Sequence, residues 1–99
     1  MAELLPKALP LKTCRDNINT IHQDDANAGI TIWSVLSSAQ NTPNTTGGLL
    51  ISFSRFISAN ILKVSFEIYI SATSDGTIVK RSIYQEGSNT EFIGEWVEL

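Results

Sequence analysis

Hydrophobic and polar residues alternate with a period of two along most of the chain after Gly29, which is the pattern of half-buried β-strands. The clearest alternation lies in residues 61–70. The apolar set there is Leu62, Val64, Phe66, Ile68 and Ile70, and the intervening set is Lys63, Ser65, Glu67 and Tyr69. Because one face of such a sheet is normally buried, we expect the apolar set to lie in the core and the polar set to face solvent.

The same alternation predicts four further strands, separated by short polar turns. These strands cover approximately residues 30–35, 49–57, 77–84 and 92–97. Ser74-Asp75-Gly76 is a hairpin signal between the third and fourth strands in chain order. The sequence therefore predicts an all-β fold, a small antiparallel sheet or sandwich of about five strands with a meander-like order.

The segment before the first strand has a different character. Residues 1–16 contain Pro6 and Pro10 and are interpreted as an extended lead-in or linker, and residues 17–99 as one β domain. Residues 16–21 could form a helical turn with Asp16 as its cap. A long loop rich in Ser, Asn, Thr and Gly follows the first strand, from Ser37 to Gly48, and loops of this length in small domains often carry function.

Composition and charge exclude several classes of protein. The chain has 99 residues, a formal net charge of -3 and 17% charged residues, against about 25% in an average soluble domain. It is 42% hydrophobic, which argues against disorder, and it lacks the basic balance of a nucleic-acid binder. The excess of acid lies in residues 86–98, so attachment to a partner should rest on shape, hydrogen bonds and aromatic contact.

No constellation of side chains predicts catalysis or a metal site. Cys14 is the single cysteine, so an internal disulfide is excluded, and a nucleophilic role would need His22 as a base without any family signature. His22, Asp24 and Asp25 are close in sequence, but they fit a solvated turn better than a metal site. We therefore expect no metal, no cofactor and no enzymatic activity.

Targeting signals are also missing from the sequence. The first ten residues contain Lys7 and two prolines where a signal peptide needs an apolar core. No apolar run approaches the roughly 20 residues that span a bilayer. We expect synthesis in a reducing cytoplasm and no insertion into a membrane.

The candidates for ligand contact are aromatic residues and loop amides. Trp33 and Trp96 could pack in the core or serve as ring-stacking platforms for sugars. Tyr69 lies in the polar set of its strand and is the better candidate for an exposed aromatic, although cross-strand packing is equally compatible with its position. The candidate set is Trp33, Asn41, Asn44, Tyr69 and Trp96.

A series of short motifs, in consistent order from about residue 17 to residue 99, resembles the knob domain of phage tail fibres and pyocin tail fibres. The matching pieces are Gly29-Ile30-Thr31-Ile32-Trp33, Asn41-Thr42-Pro43, Gly47-Gly48-Leu49-Leu50-Ile51, Ile78-Val79-Lys80-Arg81 and Trp96-Val97-Glu98-Leu99. The chain departs from the family pattern at Val79 and Ile93, where the family tends to have aromatic residues.

This resemblance implies a non-enzymatic module near the tip of a tail fibre, located in the virion. Such fibres are usually homotrimers that attach to other phage tail proteins, and their distal domains contact host surface polysaccharide. The small size of the chain also favours oligomerisation. The alternative is a small β module that binds a protein partner through an edge strand.

Overall fold

The computed structural model describes residues 10–21, 29–58, 62–86 and 90–99. Their regular structure consists entirely of strands, which confirms the predicted all-β class. The strands are β1 (Leu11–Cys14), β2 (Gly29–Val35), β3 (Gly48–Ser58), β4 (Leu62–Ser71), β5 (Ile78–Glu86), β6 (Phe92–Ile93) and β7 (Val97–Glu98).

All seven strands belong to one sheet, in which the order of the first six is β1-β2-β3-β4-β5-β6. β7 pairs with the same edge of β5 as β6 does, at residues 79 and 80 rather than 83 and 84. Strands β2 to β5 form the predicted antiparallel meander. β1 pairs with β2 in parallel, so that Leu11–Cys14, within the predicted lead-in, are part of the sheet. The sheet is therefore mixed but mostly antiparallel.

The prediction of one continuous strand over residues 92–97 is wrong. The chain pairs with β5 at β6, leaves the ladder and pairs again at β7. Between them the Gly94 amide donates to the Ser82 carbonyl over 2.8 Å, and a Cβ on Gly94 would lie 2.8 Å from that same oxygen. This close approach of two backbones interrupts the alternation that the sequence pattern implied.

The turn between β4 and β5 confirms the hairpin predicted at Ser74-Asp75-Gly76. Its Gly76 amide donates to the Thr73 carbonyl over 3.1 Å, and Gly76 has a φ of 58°, in the region that favours glycine. The Thr73 hydroxyl donates to the Asp75 carboxylate over 2.5 Å. Residues 59–61 and 87–89, at the other two predicted turns, lie outside the described residues.

Residues 15–21 and the loop over residues 36–47 pack on one side of the sheet, which we name the covered face. Asn17 stabilises a turn in residues 15–21, because its carbonyl accepts from the Thr20 amide and its side chain accepts from the Asn19 amide. Asn17, and not the predicted Asp16, therefore caps this turn. The buried cluster between the two layers consists of Cys14, Ile18, Ile21, Val35, Ala39, Leu50, Tyr69 and Val79.

The predicted direction of burial is wrong, because the covered face is the polar one. Ser65, Glu67 and Tyr69 of β4 are 0–1% exposed, whereas Phe66 is 56% exposed. Alternation separates the two sets of side chains but does not say which set the rest of the chain covers. The buried hydroxyls of Ser52, Ser54 and Ser65 bond to one another, with 2.8 Å between the oxygens of Ser54 and Ser65.

The opposite side of the sheet, which we name the apolar face, is built from rows of paired residues across β2, β3, β4 and β5. The central rows are Ile30–Phe53–Phe66–Ser82, Ile32–Ile51–Ile68–Lys80 and Ser34–Leu49–Ile70–Ile78. Their side chains are exposed or half-buried. The described residues therefore form a small core on the covered face and present a broad hydrophobic surface on the other.

Candidate functional site

Trp96 links the end of the chain to the centre of the covered face. Its ring is half-buried and packs edge-on against Tyr69, with 5.8 Å between the ring centroids and 60° between the planes. The guanidinium carbon of Arg81 lies 4.4 Å from the centroid of the same ring, within cation–π range. Tyr69 and Arg81 therefore both pack against the indole, which fits a role of this residue in the core.

Hydrogen bonds connect the long loop over residues 36–47 to Trp96 and to residues 15–21. The indole Nε1 of Trp96 donates to the Asn41 carbonyl over 3.2 Å, although the two residues are 55 positions apart. The Asn41 side-chain amide donates to Oδ1 of Asn17 over 2.8 Å. Asn41 has a φ of 65°, a conformation that asparagine tolerates better than most residues. Two of the predicted contact residues thus come together, and their hydrogen bonds hold the loop in place.

Tyr69 is not exposed, so its assignment as an exposed aromatic for ligand contact is wrong. Its relative exposure is 0%, and its ring belongs to the buried cluster. Its hydroxyl has no hydrogen-bond partner among the described residues, and burial raises the pKa of the phenol. The loop and residues 15–21 pack over β4 and bury this side chain. Strand alternation alone does not predict that packing.

Trp33 also packs against the buried cluster on the covered face. Its indole Nε1 donates to the Thr31 hydroxyl over 2.9 Å, and the Lys12 ammonium lies 5.3 Å from the ring centroid. The side chain is half-buried, so part of the ring remains accessible. Trp33 therefore stays partly accessible at the surface, but it does not form one aromatic platform with Trp96.

Asn44 borders a shallow polar groove at the hairpin end of the sheet. The groove has a volume of about 360 Å³ and its walls include Pro43, Asn44, Thr73 and Asp75. The Asn44 side chain accepts from the Thr46 amide over 3.2 Å, which shapes the loop around it. The hydrogen bond from the Thr73 hydroxyl lowers the pKa of Asp75, so this wall carries a negative charge at neutral pH.

Neither the thiol nor the described acidic residues form a reactive or metal-binding site. Cys14 is buried in the core cluster, and burial raises the pKa of its thiol, which makes it a poor nucleophile. Residues 10–21, 29–58, 62–86 and 90–99 contain no group of potential metal ligands. His22, Asp24 and Asp25 lie outside the described residues. The part of the chain that the structure describes has no helix able to span a membrane.

The apolar face is the most distinctive surface of the molecule. Every large hydrophobic residue that is exposed in the described part of the chain belongs to this side of the sheet. These residues are Leu11, Ile30, Phe53, Phe66, Ile78, Tyr84, Phe92, Val97 and Leu99. Of these, the alternation in the sequence places Phe66 in an apolar set, which we expected to lie in the chain's own core.

A groove of about 640 Å³ runs over the apolar face toward the edge formed by β6 and β7. Phe53, Phe66 and Ile68 contribute to its floor, and Phe92 and Val97 contribute to its outer wall. The lining also includes the exposed charged residues Lys80 and Glu95 and parts of the buried pair Glu67–Arg81, so the groove is largely but not entirely hydrophobic. Such a concave apolar surface is typical of a site for a macromolecular partner.

Comparison with known proteins finds no family model that matches the chain, and no curated protein or solved structure resembles it significantly. Interpretation of function therefore depends on the geometry of the two faces and on the motif order in the sequence.

Proposed function

We propose that the chain is a non-enzymatic structural module of a phage or prophage tail fibre, that it works as a homotrimer within the virion, and that it acts in assembly and host attachment. The observation that carries this proposal is the concentration of exposed large hydrophobics on one face of the sheet. Monomeric soluble proteins seldom expose a continuous apolar surface of this kind, because contact between apolar groups and water is unfavourable. Such a surface usually marks a site of association, where a partner removes it from water.

The composition of the covered face supports association as the normal state. Part of this face is polar, since Ser52, Ser54, Ser65 and the pair Glu67–Arg81 are buried there. Hydrogen-bonded serines and an ion pair contribute little net stability compared with packed aliphatic side chains. A small chain whose larger hydrophobic surface lies outside its own core gains most of its stability from contact with other subunits.

The polar groove at Asn44 is the surface we assign to host polysaccharide. Two residues of its wall, Ser71 and Val79, belong to the covered face, so the groove opens away from the apolar face. Hydroxyl, amide and carboxylate groups are available there from Thr73, Asn44 and Asp75. Assembly and ligand contact would therefore use separate surfaces and would not compete.

Binding of a protein through an edge strand is the second candidate function, and the described edges favour it less. β1 has four residues, and β6 and β7 have two residues each. Short edge strands offer few unpaired backbone groups to an added strand. The face of the sheet, rather than its edge, offers the larger surface for a partner.

The decisive experiment is measurement of the oligomeric state in solution. We expect multi-angle light scattering and native mass spectrometry at micromolar concentration to give the mass of a trimer. A monomer at that concentration would contradict the proposed function. A glycan array then tests attachment, with Asp75→Ala as the groove variant and Arg15→Ala, an exposed position outside that groove, as the control. Absence of any glycan signal would restrict the function to assembly.

A further inference from the structure

We propose that copies of this chain contact one another through the apolar face, with the cross-strand pair Phe53–Phe66 at the centre of the interface. The inference rests on the proposed function, which it deepens by assigning the surface. Phe53 of β3 and Phe66 of β4 lie directly opposite each other and are 37% and 56% exposed. Large aromatic side chains at the centre of an apolar surface are the usual anchors of a protein interface.

The size of the apolar face fits an interface between folded subunits. Strands rise about 3.3 Å per residue and lie about 4.8 Å apart, so four strands with some nine residues each cover on the order of 600 Å² in projection. β1 and the pair β6 and β7 extend this area on both sides. A stable protein interface buries about 800 Å² per partner, which this face can supply. A peptide strand or a small ligand would leave most of it in water.

The charges on the apolar face favour a partner of the same character. Within the three central rows the only charged side chain is Lys80, and the remaining polar residues there are Ser34 and Ser82. A strongly acidic or basic partner would find few charges of the opposite sign there, and most of its own charges would lose water without a partner. Another apolar face of the same chain brings no such penalty, apart from Lys80, which lies near the groove and can extend toward its opening.

The two sides of the apolar face differ in shape. Leu11 and Ile30, on β1 and β2, are 61% and 52% exposed and project from one side. The groove of about 640 Å³ lies on the other side, where Phe92, Val97 and Leu99 contribute to its wall. Aliphatic side chains of one copy can therefore enter the groove of the next. Contacts between different parts of the same face are heterologous, and where the rotation between copies closes they build a ring, the class of assembly to which a trimer belongs.

The test combines substitutions at the centre of the face with a matched substitution elsewhere. Phe53→Ser and Phe66→Ser should each raise the dissociation constant of the oligomer about a hundredfold or more, because they remove an interface anchor. Ser74→Glu, at an exposed position of the hairpin away from the apolar face, should leave the dissociation constant unchanged. Circular dichroism of each variant reports whether the sheet is kept.

Chemical cross-linking provides a second measurement that does not depend on the stability of a variant. In Ser82→Cys, which keeps both phenylalanines and lies opposite Phe66 in the same row of the apolar face, a short bis-maleimide should join copies into covalent oligomers, whereas Ser74→Cys should remain uncoupled under the same conditions. The native Cys14 stays in place because it is buried. Cross-linking at position 82 together with dissociation of the serine variants of Phe53 and Phe66 supports the proposed interface.

The outcomes separate the inference from the proposed function. If the wild-type protein is a trimer and both serine variants remain trimers, the proposed interface is wrong and the proposed function survives. If the protein is a dimer that depends on Phe53 and Phe66, the interface is supported and the homotrimer is wrong. A wild-type monomer that binds only detergent or lipid vesicles would overturn both.

Discussion

The Nε of Arg81 donates to Oε1 of Glu67 over 2.6 Å, and the two residues lie directly opposite each other on β5 and β4. Their side chains are 3% and 0% exposed, on the covered face of the sheet. The guanidinium also packs on the ring of Trp96, so one cation connects a carboxylate with an aromatic residue near the end of the chain. A charged pair in this position can exist only with strands β4 and β5 in the observed register.

Removal of the cation should destabilise the fold strongly. Arg81→Leu leaves the carboxylate of Glu67 buried, and breaking a buried ion pair in this way costs about 3–5 kcal/mol. The double variant Glu67→Leu with Arg81→Leu should lose less than Arg81→Leu alone, because no buried charge remains. Urea unfolding of the single and double variants gives both free energies of unfolding.

Arg15→Leu is the control for this ion pair, because Arg15 is exposed and should change the free energy of unfolding by no more than about 0.5 kcal/mol. If Arg81→Leu changed the free energy of unfolding as little as Arg15→Leu does, the assigned role of the ion pair would be contradicted.

The contact between Trp96 and the loop predicts two graded effects. Trp96→Phe keeps an aromatic ring against Tyr69 but removes the Nε1 donor to Asn41, and should cost about 1 kcal/mol. Trp96→Ala also removes the packing and should cost about 3 kcal/mol, near the lower end of values for buried aromatics. Thermal unfolding followed by circular dichroism measures both. A neutral Trp96→Phe would argue against the hydrogen bond, and equal losses in the two variants would argue against the packing on Tyr69.

Gly48 is a position where the addition of one methyl group should be costly. A Cβ there would meet the Ile70 carbonyl oxygen and lie 2.8 Å from a ring carbon of Tyr69. We expect Gly48→Ala to destabilise the protein by about 1–3 kcal/mol, the usual cost of overpacking. Gly76→Asn is the matched control, since open space surrounds Gly76 and asparagine tolerates its φ of 58°. A neutral Gly48→Ala would show that β3 can shift away from Tyr69.

The hairpin carboxylate predicts a specific dependence on pH. The Thr73 hydroxyl lowers the pKa of Asp75 below its ordinary 3.8 in the folded chain. A depressed folded pKa contributes stability that is present above the unfolded pKa and is lost as the pH falls through the folded pKa. Wild-type protein should therefore lose more stability than Asp75→Asn between about pH 5 and pH 1.

Asparagine at position 75 keeps an oxygen acceptor for Thr73 without the titration, which makes it the matched variant. A carboxyl carbon NMR titration of Asp75 in the wild-type protein measures the shift directly. A midpoint at or above the ordinary value would contradict the hydrogen bond as its cause.

Local features of the sheet were accessible to sequence reasoning because they depend on neighbouring residues. The alternation in residues 61–70 located β4, and Ser74-Asp75-Gly76 located its hairpin to β5. The break between β6 and β7 was not accessible, because it depends on the approach of Gly94 to Ser82 on another strand. The candidate site shows the same limit. The composition of the sequence indicated the loop that contains Asn41 as a functional segment, but it did not predict the hydrogen bond to Trp96, because that bond joins residues 55 positions apart.

By itself the sequence determined the central strands β2 to β5, their meander order and the separation of side chains into an apolar and a polar set, since a period of two follows from strand geometry. Only the tertiary structure decided which set was covered. Residues 15–21 and the loop pack over Tyr69, Glu67 and the buried serines, and the set with Phe53 and Phe66 remains exposed. Strand alternation is symmetric with respect to the two faces of a sheet, so the choice between them belongs to the segments that fold back over it.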